Sequence, residues 1–336
     1  MTELLKDLCL LNGISGDEGR VREYIISQIK DRAEVSVDPL GNVIAFCKGK
    51  TPKNKVIVSA HMDEVGLIVT YINSDGTLKF DCVGGVDPKV VFGKRVTVGG
   101  VTGVIAHKAV HNISKDERNR TVPFDDLVID IGCESGEEAQ KLVRQGDSVH
   151  FVSEFLSFGD GFVKCKAIDD RAGCAMMIKL IQDKPEYDTY FTFVVQEEIG
   201  LRGATAASYT VAPDYAFVLE ATTASDIPGA QNEKKVCELG KGPVVSYMDR
   251  HTIYDKQMYD LAFETAQQNG IPCQTKSVIA GGNDAGAIHL SRGGVRTTAV
   301  SLPCRYLHSP GCVIKQSDMD NAYKLIKLLL DRTYNK

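Results

Sequence analysis

The stretch Val56-Ile-Val-Ser-Ala-His61-Met-Asp63 carries the strongest structural signal in this sequence. It begins as a buried β-strand of mostly β-branched and small residues, and a histidine and an aspartate follow directly. Residues two apart on a strand point to the same side, so His61 and Asp63 can face one site together. In a parallel α/β sheet, ligands bind beyond the carboxyl ends of the strands. This stretch therefore predicts a ligand-binding site at the carboxyl edge of such a sheet.

The same arrangement recurs along the chain, with chemically active side chains where predicted strands end. The other stations are Glu197 and Glu198 after the strand 191–195, Glu220 after the strand 215–219, His308 after the strand 298–302, and Asp169 with Asp170 before a helix that starts at Arg171. A single acid in such a place is common. Burying this many like charges together is prohibitive unless cations compensate them, so the five stations predict one metal-binding site.

A glycine-rich segment interrupts the alternation of strands and helices and predicts a second domain. We assign residues 1–66 and 160–336 to one α/β domain and residues 67–159 to an inserted β-rich module, in which a helical stretch is predicted near residues 137–144. Ser15 to Glu18 form a capping-box pattern before a helix, and Ser317 is the predicted cap of the last helix.

Composition excludes several functional classes. The chain has 336 residues, and 39 Lys+Arg against 44 Asp+Glu give a net charge of -5, which produces no general attraction to nucleic acid or to anionic lipid. No apolar run reaches the length of a membrane span. The first residues, MTELLKDLCLLNG, lack the features of a secretory signal, so we predict a cytoplasmic protein with reduced cysteines.

Charge counting favours two metal ions over one. Asp169, Glu198 and Glu220 supply three negative charges, while His61 and His308 bind metals as neutral imidazoles. Two divalent cations and a bridging hydroxide make this set neutral. A mixture of imidazole and carboxylate ligands suits zinc, cobalt or manganese better than calcium or magnesium.

The remaining carboxylates receive supporting roles in this interpretation. Asp63 is predicted to accept the second N–H of His61 and thereby to orient the ring. Glu197 and Glu198 are neighbours, so the strand must end there for both to reach the site. One of them is then free to act as the general base, which we assign to Glu197, although an exchange of roles with Glu198 stays open.

The motifs HMDEVGLIV, AIDDRAG, VVQEEIGLRGA and EATTASDIPG, together with the late His308, resemble the TET or glutamyl-aminopeptidase-like family of cobalt- or zinc-dependent aminopeptidases. The resemblance runs nearly end to end. It implies a phosphorylase/hydrolase-like three-layer catalytic domain with an inserted β-barrel dimerisation module, short peptides as substrates, and a homo-oligomer ranging from a dimer to a tetrahedral dodecamer. It also implies that His61 and Glu220 serve one metal, that Glu198 and His308 serve the other, and that Asp169 bridges the two.

Two positions depart from the family pattern. Glu220 stands where many relatives have aspartate, and Asn283 stands where threonine is usual. The leading hypothesis is therefore a metalloprotease that hydrolyses N-terminal residues from peptides through a metal-activated water, with Glu197 as the base. The alternatives are a deacylase or a glucan hydrolase on the same scaffold, and a catalytically silent assembly protein.

Overall fold

The secondary structure follows the predicted alternation of strands and helices. The computed structural model describes residues 1–112, 114 and 119–334. The strands are β1 (Glu34–Val37), β2 (Val43–Cys47), β3 (Val56–His61), β4 (Gly66–Ile72), β5 (Leu78–Val83), β6 (Arg95–Val98), β7 (Val101–Ala106), β8 (Val128–Asp130), β9 (Ser148–Phe151), β10 (Leu156–Phe158), β11 (Phe162–Cys165), β12 (Thr189–Val194), β13 (Tyr215–Thr223), β14 (Val244–Val245), β15 (Gln274–Thr275), β16 (Arg296–Cys304) and β17 (Cys312–Lys315). The helices are α1 (Thr2–Leu10), α2 (Gly19–Ile29), α3 (Pro88–Val91), α4 (Gly136–Ala139), α5 (Ile168–Gln182), α6 (Arg202–Val211), α7 (Lys256–Gln268), α8 (Ala285–Ile288) and α9 (Gln316–Thr333).

An eight-stranded sheet in the order β1-β2-β12-β3-β13-β16-β14-β15 forms the centre of the larger part of the fold. Its four central strands, β12, β3, β13 and β16, run parallel to one another. All six residues of β3 are buried, as expected for a strand covered by helices on both faces. The carboxyl ends of these strands therefore meet at one edge of the sheet.

Helices cover both faces of this sheet and give it three layers. On one face, a large apolar core joins the sheet to α1, α2, α5, α7 and α9. On the other face, a smaller core contains Ala204, Ala207 and Val211 of α6 and Ala285 and Ile288 of α8. The α/β class predicted from the alternation of elements is confirmed.

A closed six-stranded barrel, in the order β4-β5-β8-β7-β6-β9, is inserted between β3 and the rest of the sheet. It has its own apolar core, which includes Leu78, Val96 and Ile129. Gly99 and Gly100 make the two-residue turn between β6 and β7, and both have positive φ angles, which glycine adopts without strain. The limits of the module at residues 67 and 159 stay a prediction, and residues 113 and 115–118 lie outside the described part of the chain.

Three local predictions were wrong in detail. The helix predicted near residues 137–144 is limited to Gly136–Ala139. The last helix begins at Gln316 after Lys315, so Ser317 lies inside it and does not cap it. The helix after Ser15 begins at Gly19, but no side chain caps it, because the Ser15 hydroxyl is engaged elsewhere. Within the described residues, no helix combines the length and the apolar character required to cross a membrane.

Candidate active site

The structure brings the five sequence stations together at the carboxyl edge of the parallel strands. His61 is the last residue of β3, and Glu220 lies within β13. The segment with Glu197 and Glu198 follows the end of β12 at Val194. His308 lies in the loop between β16 and β17, and Asp169 is at the start of α5. Residues from five separate parts of the chain thus converge on one place.

Asp169 lies between the two histidines. Its Oδ1 atom is 3.4 Å from His61 Nε2, and its Oδ2 atom is 3.5 Å from His308 Nε2. Each histidine has one further acidic neighbour: Glu220 Oε1 is 3.4 Å from His61 Nε2, and Glu198 Oε2 is 3.4 Å from His308 Nε2. The five side chains therefore form two adjacent groups that share Asp169.

These separations suit metal ligands better than hydrogen bonds. N–H···O hydrogen bonds are about 2.7–3.2 Å long, whereas two ligands of a tetrahedral zinc ion at about 2.0–2.1 Å lie about 3.3–3.4 Å from each other. Asp169 Oδ1 and Glu220 Oε2 are buried and have no hydrogen-bond partner among the described residues. Candidate ligand atoms of His61, Asp169 and Glu198 lie within 4.8 Å of one another, and so do those of Asp169, Asp170 and Glu220.

The site carries an excess of buried negative charge. Burial raises the pKa of Glu198 to about 7, and burial together with the Asp169 carboxylate raises the pKa of Glu220 well above its ordinary value. Burial alone would lower the pKa of His308, but Asp169 and Glu198 raise it to about 10. The carboxylates thus favour bound positive charge, whether protons or metal ions.

The second ring nitrogen of each histidine faces a backbone carbonyl. His61 Nδ1 is 3.0 Å from the carbonyl oxygen of Asp63, and His308 Nδ1 is 2.8 Å from that of Gly85. A carbonyl only accepts, so Nδ1 carries the proton in both rings and donates it. In the neutral form of each ring, Nε2 then has its lone pair directed toward the carboxylates, as a metal ligand requires.

The carboxylate of Asp63 has partners other than the predicted one. Its Oδ1 is 3.4 Å from His61 Nδ1 and accepts the backbone N–H of Glu197 at 3.0 Å, while its Oδ2 accepts the backbone N–H of Glu198 at 3.1 Å. The Ser15 hydroxyl donates to it at 2.6 Å. Asp63 orients His61 mainly through its carbonyl, and its side chain holds the Glu197–Glu198 segment and the segment before α2.

The strand β12 ends at Val194, before the two glutamates, so the predicted end of the strand near this pair is found one residue earlier than the predicted run 191–195. Gln196 has a left-handed backbone with φ of 56°, which ends the alternation of side chains. Both glutamates line a cavity of about 250 Å³ beside the cluster, but Glu198 is the one whose Oε2 lies 3.4 Å from His308 Nε2. Burial raises the pKa of Glu197 well above its ordinary value, and Asp284 and Glu198 act in the same direction against His61.

Left-handed backbone occurs at or beside three of the segments that carry the clustered side chains. Ala167, Gln196 and His308 itself have φ angles of 54°, 56° and 58°. Each such non-glycine residue costs on the order of 1 kcal/mol and persists only where the surroundings demand it. The presence of three such residues in one place indicates that the positions of the clustered side chains outweigh the conformational preference of the local backbone.

The barrel also reaches the site. Gly84 and Gly85 follow β5, and the Gly85 carbonyl is the acceptor for His308. Gly84 has a φ of 83°, and a Cβ atom added to it would lie 2.9 Å from Val65 Cγ1 and 3.1 Å from Glu198 Cβ. The inserted module therefore fixes the surroundings of both Glu198 and His308.

Several residues of this region carry no role from sequence reasoning. Asp284 is fully buried with both carboxylate oxygens unpartnered among the described residues, and Lys276 lines the cavity. Asp170 Oδ1 accepts the N–H of Gly173 at the start of α5. Asn283 lines the cavity and donates to the Tyr254 hydroxyl at 3.2 Å. From the sequence alone, only the position of Asp284 before a short apolar helix could have indicated a functional role for this residue.

This chain has a mixed α/β sheet with a closed barrel inserted after β3, and solved TET aminopeptidases share this fold. The chain belongs to the M42 glutamyl aminopeptidase family, whose model matches residues 41–325. It is thus a peptidase, which confirms the predicted resemblance and the hydrolase class.

Individual relatives cover nearly the whole chain. A putative aminopeptidase of Acetivibrio thermocellus is 42% identical over 330 residues, which are 97% of each chain. The crystal structure of a TET aminopeptidase from Thaumarchaeota archaeon SCGC AB-539-E09 is 36% identical, with a TM-score of 0.95 over 98% of this chain and 96% of that one. Pyrococcus horikoshii TET1 peptidase, described as assembling into a tetrahedron or a large octahedral shell, is 36% identical, with a TM-score of 0.86 over 98% of each chain.

Proposed function

We propose that this peptidase is a metal-dependent aminopeptidase with two divalent cations. His61 and Glu220 would hold one cation, Glu198 and His308 the other, and Asp169 would bridge them. The observation that carries this proposal is the position of Asp169, whose two carboxylate oxygens each face a different histidine at 3.4 and 3.5 Å. Glu220 is long enough to bring an oxygen within 3.4 Å of His61, so its replacement of the usual aspartate is compatible with the ligand role.

The choice of metal follows from the ligands. Two neutral imidazoles and three carboxylates suit zinc or cobalt, and also manganese, and the net charge of three carboxylates requires more than one divalent ion to balance it. When bound, such ions polarise the scissile carbonyl and make water acidic enough to attack at neutral pH.

Glu197 is the proposed general base. Its side chain lines the cavity beside the cluster. Glu197 would accept the proton of the attacking water and then deliver it to the leaving amide nitrogen. Its raised pKa brings the carboxyl closer to neutrality, where a group both accepts and returns a proton efficiently.

Asp63 and Ser15 keep this base in place without touching substrate. The Asp63 carboxylate accepts the backbone N–H groups of both Glu197 and Glu198, and its Oδ2 also accepts a hydrogen bond from the Ser15 hydroxyl. The segment carrying the base and one proposed metal ligand is thereby fixed to the segment carrying His61.

Removal of metal is expected to abolish turnover. Because the proposed ligands are already clustered, we expect dialysis against a chelator to lower the hydrolysis of amino-acid p-nitroanilides and short peptides at least about 100-fold, and added cobalt or zinc to restore it. The measurement is the initial rate before chelation, after it and after metal is returned.

The same preparation discriminates the alternatives. Full turnover after exhaustive chelation would contradict the proposal. Release of reducing sugar from glucans that persists with chelator would favour the glucan hydrolase, since glycosidases use paired carboxylates without metal. Hydrolysis of N-acyl amino acids in preference to peptides would favour the deacylase. Near-zero metal by mass spectrometry in reconstituted protein would favour a silent assembly protein.

We further propose that the chain forms a homo-oligomer through its barrel. Large assemblies of TET relatives support this, and so do Phe92 and Val104, large apolar side chains of the barrel region that are 55% and 42% exposed. We expect light scattering after size exclusion to give a mass of at least twice 36.6 kDa. A monomeric mass at micromolar concentration would contradict it.

A further inference from the structure

The backbone that carries Glu197 leaves the sheet just before this residue. β12 ends at Val194, and the next four N–H groups, at residues 195–198, each donate to a side chain from another part of the chain. We call residues 195–198 the base segment. Asp63 accepts two of these hydrogen bonds, from Glu197 and Glu198, and buried side chains outside the proposed reaction accept the other two. Buried donors need acceptors, so these side chains determine the path of the backbone here.

Glu18 is the first of the two remaining acceptors. Its Oε1 accepts the N–H of Gln196 at 3.2 Å and that of Gly16 at 2.8 Å, and the residue is only 4% exposed. Gln196 is the residue whose backbone is left-handed, and the direction of the next side chain, Glu197, depends on this turn. Glu18 therefore supports the turn from which Glu197 reaches the cavity.

Asn42 is the second acceptor, and it is fully buried. Its Oδ1 accepts the N–H of Val195 at 2.9 Å, while its Nδ2 donates to the Gly203 carbonyl at 3.0 Å and to Asp38 Oδ2 at 2.6 Å. Asp38 Oδ1 in turn accepts three backbone N–H groups of the turn before β2. Asn42 thus connects this turn with both sides of the loop between β12 and α6.

Helix capping does not account for the position of Glu18. The residue directly precedes α2, yet none of the described side chains caps this helix. Ser15, three residues earlier, donates to Asp63 Oδ2 at 2.6 Å, and Asp63 is itself an acceptor of the base segment. The pair Ser15 and Glu18, which has the spacing of a capping box, therefore supports the base segment at two points.

We propose that Glu18 and Asn42 are positioning residues for Glu197. The inference rests on the proposed function, in which Glu197 accepts the proton of the attacking water. Neither side chain is among the described residues that line the cavity, so both act on the base only through the backbone of Val195 and Gln196. A displacement of a reacting group by about 1 Å can lower a rate on the order of 100-fold, so loss of either contact is expected to affect kcat more than substrate binding.

Two variants at Glu18 separate its acceptor oxygen from its charge. Glu18→Gln keeps an oxygen that can accept both N–H groups, and burial raises the pKa of Glu18, so a neutral amide is a small change. Glu18→Met has a similar length but no such acceptor. In enzyme loaded with cobalt or zinc, we expect Glu18→Met to lower kcat for p-nitroanilides about 10- to 100-fold, with KM within about threefold and metal content unchanged. Glu18→Gln is expected to stay within about threefold of wild type.

Further variants control for the substitution and extend the test. Glu23→Met, at an exposed glutamate of α2, is the matched control and is expected to leave kcat unchanged. Asn42→Ala removes the acceptor of the Val195 N–H and is expected to lower kcat in the same way as Glu18→Met. If Glu18→Met does not fold, Glu18→Asp replaces it, because its side chain is shorter by one methylene group and draws the oxygen away from Gln196.

Hydrogen exchange measures the same contacts without turnover. In peptides that span the base segment, mass spectrometry is expected to show exchange at least about tenfold faster in Glu18→Met, and unchanged exchange in Glu18→Gln and Glu23→Met. Wild-type protein that hydrolyses no peptide with metal, yet shows this difference, would reject the proposed function alone.

Three results would overturn the role of Glu18. A lower Tm of Glu18→Met with unchanged kcat per metal-loaded enzyme would confine Glu18 to the turn at Gly16. An equal loss of kcat in Glu18→Gln and Glu18→Met would assign the effect to charge and not to the acceptor oxygen. Loss of bound metal from Glu18→Met would place the effect at Glu198 instead of Glu197.

Discussion

Glu197→Gln is expected to lower kcat about 10²- to 10⁴-fold while two metal ions stay bound. Glutamine keeps the size of the side chain but cannot accept the proton of the attacking water, and removal of a general base has costs of this order. Glu197 is not among the residues placed around the proposed cations, so metal content, measured by mass spectrometry, is expected to be unchanged. KM should change little, because the cavity keeps its shape.

Two variants serve as controls for this result. Glu198→Gln is expected to lose metal as well as activity, because Glu198 lies 3.4 Å from His308 Nε2. Glu137→Gln alters another Glu-Glu pair, on the exposed surface of α4, and is expected to leave both properties unchanged. Loss of metal from Glu197→Gln combined with its retention in Glu198→Gln would mean that the two glutamates exchange roles.

Asp169→Asn is expected to have the largest effect on metal content. Asp169 faces both histidines, so the weaker and neutral amide affects both proposed sites at once. We expect bound metal to fall from about two ions per chain to less than one and turnover to fall more than about 10³-fold. Metal analysis and the shift in Tm on addition of zinc or cobalt are the measurements.

Asp170→Asn is the matched variant at the neighbouring residue. Burial raises the pKa of Asp170 well above its ordinary value, so a neutral amide resembles its native form. Asn can also accept the Gly173 N–H that Asp170 Oδ1 now accepts, and a change of less than about 1 kcal/mol in the free energy of unfolding is expected. If Asp170→Asn loses metal and Asp169→Asn keeps it, the bridging assignment is wrong.

Local sequence was sufficient to predict the edge at which the site lies. The buried run 56–60 before His61 has the composition of a central parallel strand, and the strands that lead to Glu197 and Glu220 share it. Since parallel strands all end on one side, residues far apart in sequence were expected to meet, and the structure brings His61 and His308 to opposite sides of one carboxylate. The residue roles themselves stay predictions.

Contacts between distant segments account for what sequence did not predict. Ser15 and Glu18 have the spacing of a capping box, but Asp63, 48 residues away, takes the Ser15 hydroxyl, and Glu18 accepts the N–H of Gln196 at 3.2 Å. Likewise, the burial of Lys276 depends on the strands and loops around it, not on its own neighbours in the chain. Contacts of this kind between distant residues produce no periodic pattern in a sequence, so they are not predicted from one.

The Gly85 carbonyl beside His308 limits how this protein can be rearranged by evolution or by engineering. Although the barrel has its own core, grafting a foreign barrel into the chain, or excising this one, would take away the acceptor that sets the tautomer of His308 and the close packing of Gly84 on Glu198. The proposed metal position at Glu198 and His308 would be disturbed, while His61 and Glu220 stayed in place. A successful exchange of barrels must therefore keep Gly84 and Gly85, with their contacts to Glu198 and His308, in the chain that receives the new barrel.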